Sequence, residues 1–466
     1  MGKFIVVGGG PVGCLAALQL AHQGHTVTLY EGRGHIPTDP SQSYPIGVNP
    51  RGLHAIESVA PDVAQRIRSE GHVIAAWEIY AGPRRVAKQV SGVVYGTSRG
   101  NVNLHLWNAC TKCPHAITLR MNHRLHSMDF AAKTLTFETT DGSVVVVDAA
   151  DARVVGADGV HSTVRTYMQQ ADATFLVTVT PWANEYRVLF GRVGQPAPGL
   201  DPSVHYIFSG GYTATIDNGG AKQWTLVTTV RDSDDAGDSS SQLVRETDAS
   251  EANVAKLKAW VHSIAPAMVD VLSPHELVQY FSRRTYRGAV VECSKFDVDE
   301  WVVLVGDAAH SVLPPTGEGI NSGLEDTLVL AAAVGCTAGA SSCFAAYTKA
   351  RMPDIAALWT YATHLNASPS FLGERLARLV FLIAESKSHH SIGQSLFGPM
   401  GIHRWPYKRI VDKWAWRRLL WINAARVLTY PLSVVAWVLC LPFKLARSTP
   451  TYATTKSTFK LQRGVV

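Results

Sequence analysis

Phe4-Ile5-Val6-Val7-Gly8-Gly9-Gly10-Pro11-Val12-Gly13 opens the chain with an apolar strand that runs straight into a glycine turn. Gly8, Gly10 and Gly13 satisfy G-x-G-x-x-G, and Cys14 to Ala21 reads as a helix that Gly24 ends. A second strand, Thr26 to Tyr30, follows and closes on Glu31. Strand, glycine turn, helix, strand and acid within about thirty residues start a Rossmann-like α/β fold that binds a dinucleotide. Each part has a physical task. Gly8 permits the tight turn, Gly10 lets the backbone approach a pyrophosphate, and Gly13 lets helix pack close to strand. Pro11 and Val12 enter a helix whose free N–H groups and positive dipole end attract phosphate. Glu31 is placed to accept hydrogen bonds from a ribose diol.

Two later stretches repeat the pattern of a buried strand ending in a glycine turn. Val154 and Val155 deliver Gly156-Ala157-Asp158-Gly159, with Ser162 and Arg165 opening a helix. Trp301 to Val305 deliver Gly306-Asp307-Ala308-Ala309-His310, followed by Pro314-Pro315-Thr316-Gly317-Glu318-Gly319-Ile320-Asn321 and a helix through Glu325 and Asp326. His310 is expected to pack or hydrogen-bond near phosphate, and Glu325 and Asp326 to cap or solvate their helix.

Together these three stretches resemble the single-component flavoprotein aromatic hydroxylases, which share the para-hydroxybenzoate hydroxylase-like fold. The resemblance implies FAD bound in extended form over about residues 3–330. Gly8, Gly10, Pro11, Val12, Gly13 and Glu31 would hold its ADP half. Arg99 matches the family arginine that opens a helix beside the cofactor, and Asp307 would bind the ribityl and pyrophosphate region. Gly317, Gly319, Ile320 and Asn321 would present the flavin loop, with Pro314, Gly317, Gly319 and Asn321 nearest the reacting edge. Asp158 would bridge towards the nicotinamide approach. Only one G-x-G-x-x-G occurs, so NADPH would bind transiently. The implied reaction is monooxygenation of an aromatic small molecule by NAD(P)H and O2 through a flavin C4a-hydroperoxide. No metal-ligand pattern appears.

Val291-Glu292-Cys293-Ser294-Lys295-Phe296 and Tyr407 to Arg418 narrow the resemblance to the kynurenine 3-monooxygenases. That family clamps an amino-acid carboxylate with an arginine in the first strand of its substrate domain, where Trp77 stands here. An indole cannot make the bidentate fork. Arg84 or Arg85 is the substitute cation to consider. Tyr95 is nearest to the family tyrosine, and the family's later Asn and Tyr become Thr360 and Phe397. Aromatic side chains of the strand-rich stretches, Tyr186 and Phe208 among them, are expected to line the substrate with Trp77 and Tyr95. Kynurenine and a different aromatic substrate both stay open. So does a flavin-dependent epoxidase or reductase acting on a membrane-associated prenyl compound.

The expected organisation is an FAD-binding domain (1–75, 96–175 and 291–330) interrupted by a mostly β substrate domain (76–95 and 176–290). A helical region (331–426), an apolar segment (427–443) and a basic tail (444–466) follow. The 466 residues carry a net charge of +6. That charge is divided: residues 404–466 hold 12 basic side chains and one acid, Asp412, while 1–403 hold 31 basic and 36 acidic ones. An acidic body excludes a uniformly basic nucleic-acid binder. Seven scattered cysteines argue for a reducing compartment. Cys110 and Cys113 read as two thiols on a helix face rather than a metal site. The segment 427–443, 17 residues with Pro431 and Pro442, reaches roughly 25 Å, short of a ~30 Å hydrocarbon core. With flanking arginines and tryptophans it reads as a membrane anchor or an interfacial helix. The expected location is therefore a cytosol-facing membrane surface, that of the mitochondrial outer membrane or the endoplasmic reticulum.

Overall fold

The computed structural model describes residues 1–37, 44–218, 220–231, 240–336, 342–366, 372–387 and 405–447. Phe397 and the basic tail from 448 onward lie outside the described residues, as does most of the polar run Arg231–Gln242. The chain forms two compact units, Met1–Ala367 with Ile383–Trp416 and Ser368–Leu382 with Arg417–Val466.

In the first unit a six-stranded sheet carries the glycine turns. Its strand order is Asp297–Val298, Val302–Leu304, Ala152–Gly156, Lys3–Val7, Thr26–Tyr30 and Ile117–Arg120. All neighbours are parallel except the first pair. Val6, Val27, Leu29, Val154, Val155, Val302 and Val303 are fully buried, the composition of strands covered on both faces. The three turns therefore lie together at the carboxyl ends of adjacent strands, where α/β sheets bind ligands.

A second sheet has eight strands, ordered Tyr286–Cys293, Val177–Phe190, Ala221–Arg231, Gly211–Asn218, Val204–Phe208, His72–Ala81, Arg84–Ser98 and Pro45–Val48. It is wider than the expected β domain, since it also recruits Pro45–Val48 and His72. Residues 251–279 depart from the strand-rich expectation. They form the helices Glu251–Ile264, Pro266–Val269 and Pro274–Gln279. Val254, Leu257, Val261 and Ile264 recur at three- and four-residue intervals, a helical period that outweighs local β-branching. These helices bury Leu257, Trp260, Val261, Met268 and Leu277 against Tyr206, Trp224 and Leu226 of one sheet face. Strand alternation sends His205, Tyr212 and Tyr186 to the other face.

Helices Gly319–Cys336 and Cys343–Asn366 close the first unit around one buried carboxylate. Asp326 accepts hydrogen bonds from the Gly306 N–H (2.8 Å), His310 Nε2 (2.5 Å) and Arg351 Nε (2.6 Å). Arg351 also pairs with Glu325 at 2.6 Å. His310 thus hydrogen-bonds as expected, but to Asp326. Asp326 is wholly buried and neither caps nor solvates its helix. Burial raises its pKa, but His310 and Arg351 outweigh that and hold it below the usual carboxylate value. Cys110 lies inside the helix Arg99–Thr111 while Cys113 follows its end. Among the described residues no cluster of His, Cys, Asp or Glu could hold a metal.

In the second unit Arg426 and Tyr430 hydrogen-bond to Glu374 of the helix Leu372–Ser386. One continuous helix, Tyr407–Arg447, runs through the apolar segment and past Pro431. Among the described residues no helix is long and apolar enough to cross a membrane, so the spanning alternative for 427–443 is not met.

Replacing Asp326 by Ala leaves Arg351 and His310 without their shared partner in the interior. The expected cost is about 3–5 kcal/mol of folding stability, read from chemical denaturation. A loss below about 1 kcal/mol would remove Asp326 from its organising place.

Candidate active site

The first turn is as tight as its sequence demands. Gly8 has φ of 107°, and a Cβ on Gly13 would stand 1.9 Å from the Gly8 carbonyl oxygen. A Cβ on Gly10, by contrast, would meet nothing nearer than Arg99 Nη2 at 3.9 Å. Gly10 is therefore bare because something outside the chain must approach it. It also opens the helix Pro11–His22, whose N-terminus receives no side-chain cap, so the positive end is left for an anion. Val12 wedges against Gly306 and Gly323, where added Cβ atoms would lie 3.2 and 2.8 Å from its methyl groups.

Glu31 is buried and receives the Gly9 N–H at 2.7 Å, with three more hydrogen bonds from Arg33. Burial raises its pKa, but the Arg33 and Gly9 donors outweigh that and keep it below the ordinary value. It is an ionised acceptor at the end of the second strand. Asp158 uses Oδ2 to accept the Thr163 and Val164 N–H groups at 2.7 and 3.1 Å. Its Oδ1 is buried without a partner, and burial raises its pKa. Among the described residues neither Arg99 nor Asp307 takes part in an ion pair. Both act electrostatically on Tyr44, and Asp307 Oδ1 is 4.0 Å from the position of a Cβ on Gly319. Gly10 beside Arg99 and Gly319 beside Asp307, with Tyr44 within the field of both charges, thus mark a line from the dinucleotide turn to the flavin loop, at the strand ends where a ligand groove belongs.

The loop itself is held from behind. Gly317 turns left-handed at φ 67°. The Asn321 amide donates to the Gly47 and Gly317 carbonyls, both at 3.0 Å, and its oxygen accepts the Asn49 N–H at 2.9 Å. Asn321 therefore fastens the loop; its side chain is not free for chemistry. Pro314, Pro315 and Gly317 are exposed, and Gly319 and Ile320 half-buried. Pro314 lies so near the second sheet that a Cβ on Gly288 would come within 3.1 Å of it.

Of the expected substrate residues, Trp77 and Tyr186 share the sheet face that looks away from the covering helices. Phe208 does not. It packs against the Trp224 and Trp260 core on the opposite face, because it stands two residues from Tyr206 and alternation gives both the same side. Tyr95 is paired with Val73 and Val48 and leans on Gly71. Arg85 is bound to Glu78 at 2.8 Å on the helix-covered side, so it is no substitute cation. Around Tyr186 the structure adds residues that sequence reading passed over. Tyr286 stacks on it at 5.5 Å, and Tyr44 and Trp182 contact it at 6.1 Å. Their spacing in sequence offered no signal, since the contacts depend on sheet register.

Glu318, Asn49 and Tyr407 were also missed. Glu318 is wholly buried. It accepts from Asn49 Nδ2 at 3.0 Å and from the Tyr407 hydroxyl at 2.6 Å. Arg51 stacks on Tyr407 at 3.9 Å and hydrogen-bonds the Trp405 carbonyl at 2.6 Å. An acid between two glycines and the family-like stretch that opens at Tyr407 were visible; their pairing across 89 residues, and with Asn49 across 269, was not.

A strand-end groove with an open glycine, an uncapped helix, an arginine and an aspartate outside any ion pair among the described residues, and an orphaned Asp158 oxygen fits an extended flavin dinucleotide. The FAD-binding-domain family matches residues 2–361, and the chain belongs to it. Kynurenine 3-monooxygenase of Emericella nidulans is 29% identical over 409 residues, covering 76% of each chain. That of Legionella pneumophila is 26% identical over 343 residues, 71% of this chain and 72% of the relative. Among solved structures, the tetrameric form of 2-methyl-3-hydroxypyridine-5-carboxylic acid oxygenase superposes with TM-score 0.61 at 17% identity, over 82% of this chain and 97% of the other. PqsL of Pseudomonas aeruginosa gives 0.60 at 19%, over 78% and 95%. The protein is an FAD-dependent, NADPH-using aromatic monooxygenase similar to the kynurenine 3-monooxygenases.

Burial pushes the pKa of Glu318 up to about 7, against the lowering pull of Tyr407, Arg51 and Asn49. Between its ordinary value of 4.5 and 7 the folded protein holds a proton that the unfolded chain has released. Stability from this group is thus full below pH 4.5 and is lost as pH rises through 7. Glu318→Gln should flatten the fall in stability across that window by up to ~1.4 kcal/mol per pH unit, measured by urea denaturation at several pH values. Glu276, also raised to about 7 by burial, keeps its own share of the slope. An unchanged slope would mean that Glu318 is already ionised when folded.

Proposed function

We propose that this monooxygenase hydroxylates a planar aromatic compound that is uncharged where kynurenine carries its amino acid. FAD bound in the groove supplies hydride acceptance from NADPH and the activation of O2 for transfer of one oxygen atom to an aromatic ring. The chain's part is to hold the ring beneath the tyrosine-lined sheet face and to keep water away. The observation that carries the reading is Trp77. Its indole N–H donates to His205 at 3.1 Å, in the place where the resemblance puts a carboxylate-binding arginine. Arg84 stands opposite Ala81 at the hairpin end, roughly 13 Å along the strand from Trp77. A substrate panel of kynurenine, anthranilates, phenols and prenylated aromatics, read by stimulated NADPH oxidation and product mass, tests it. The expected result is a hydroxylated product from an uncharged ring, with kynurenine at least tenfold poorer in kcat/KM. Kynurenine as the preferred member would overturn the reading, and an epoxide or a reduced product would favour the prenyl-directed alternative.

The location proposed is a cytosol-facing membrane surface, that of the mitochondrial outer membrane or the endoplasmic reticulum. There the second unit lies against lipid. Leu419, Leu420, Trp421 and Val427 of its long helix are exposed, as are Leu379 and Val380 of Leu372–Ser386. Apolar side chains beside Arg417, Arg418 and Arg426 suit the interface of an anionic bilayer. The full chain should co-sediment with phosphatidylcholine vesicles containing phosphatidylserine. Changing Leu420 and Trp421 to Ser should weaken that binding at least tenfold, since about 3 kcal/mol or more of apolar burial is removed. Equal sedimentation of both proteins would refute lipid docking by this helix.

A further inference from the structure

We infer that His205 presents its Nε2–H to the substrate as a neutral hydrogen-bond donor, so that the site selects a planar aromatic bearing an uncharged acceptor oxygen, such as an aryl ketone or amide. The inference deepens the function proposed above and rests on it.

The proton's position follows from the neighbour. An indole N–H can only donate. The Trp77 N–H lies 3.1 Å from His205 Nδ1, so Nδ1 is the acceptor. Burial, helped by the nearby charge of His72, pushes the ring's pKa down to about 3. The imidazole is neutral at any working pH, and its single proton must sit on Nε2. That atom is buried and has no partner. A desolvated donor left unmatched opposes folding, and a ligand that supplies an acceptor removes the penalty.

The placement fits a ligand. Trp77 and His205 are paired in register and point to the same face, opposite to Val204 and Tyr206 in the helix-covered core. The next strand brings Tyr212, its ring 6.5 Å from that of His205. Tyr186 and Tyr286 continue the face towards Tyr44, which feels both Arg99 and Asp307. A path of aromatic side chains thus joins His205 to the cofactor groove. Burial raises the pKa of Tyr44, Tyr186 and Tyr212, so their hydroxyls stay neutral as well. Gln89, Ile207, Val227 and Val188 share the registers of this face and none carries charge. Arg284, 5.4 Å from the Tyr286 ring, and Arg99 lie at the far end. A carboxylate at the His205 end would lose its hydration, and the ionisable neighbour there, His72, is itself held towards the neutral form by burial and Lys222. A carbonyl oxygen loses little and gains the N–H.

The test compares 2-aminoacetophenone with 2-ethylaniline, which lacks the carbonyl, and with kynurenine. Binding is read from the flavin absorbance change of the holoenzyme and turnover from NADPH oxidation. Wild type should bind the ketone roughly 10–100-fold more tightly than the alkyl compound. His205→Phe should erase that preference while the flavin spectrum stays unchanged. His205→Gln, which keeps an N–H at similar reach, should restore most of it and also guards against a folding defect in the first variant. Trp77→Phe frees the tautomer and should weaken the preference several-fold. A preference that survives His205→Phe overturns the inference and leaves the proposed substrate class standing. Wild type that favours kynurenine, or binds neither neutral compound, overturns both.

Discussion

One buried carboxylate sets the geometry on which the cofactor groove depends. Asp326 takes the Gly306 N–H, the His310 ring and the Arg351 guanidinium together. Gly306 is thereby fixed in its left-handed turn, with φ of 61°, at the carboxyl end of Val302–Leu304. Asp307, the next residue, then faces the groove. Val12 from the first turn is pinned between Gly306 and Gly323, which aligns the uncapped helix N-terminus with the flavin loop. A salt-bridged network is a weak source of net stability. What this one supplies is position, since its donors tie Gly306, His310 and Arg351 to one carboxylate, 16 to 25 residues away in sequence.

The roof of the site obeys a different constraint, that of strand alternation. One face must be apolar to bury the helices from 251 to 281. The other face is left free to be chosen for a ligand, and here it is aromatic and uncharged around His205. Tryptophan at position 77 does not act as a weak replacement for a cation. It fixes the proton of its neighbour, which changes what the roof can recognise.

The dinucleotide cradle was legible in the sequence because its parts are local. Gly8, Gly10, Gly13 and Glu31 lie within about thirty residues and each answers one steric or electrostatic demand. Asp158, Asp307 and the Gly317–Asn321 loop stand in local motifs too, but their roles came from the family resemblance those motifs carry. The rest depends on residues that meet only through the fold. Phe208 was placed on the wrong face because register with Tyr206 and the covering helices decides that side. Glu251–Ile264 reads with the strands because its neighbours in sequence are β-rich, although its own apolar residues keep a helical period. The resemblance puts Asn321 near the reacting edge as part of its loop; that its amide and oxygen are consumed by Gly47, Gly317 and Asn49 depends on contacts 272 to 274 residues away as well as within the loop. The His205 tautomer needs two strands in parallel register, which no short motif announces.

The Tyr407 hydroxyl reaches Glu318 inside the flavin loop, whereas the family match ends at residue 361. The hydrogen bonding that backs the flavin loop therefore extends beyond the recognisable domain. A protein cut at the domain boundary would retain every glycine of the cofactor fingerprint and still lack the prop behind its loop. During synthesis the loop has its Asn321 fastening first, and the Glu318 carboxylate gains its Tyr407 partner only after residue 407 has emerged from the ribosome.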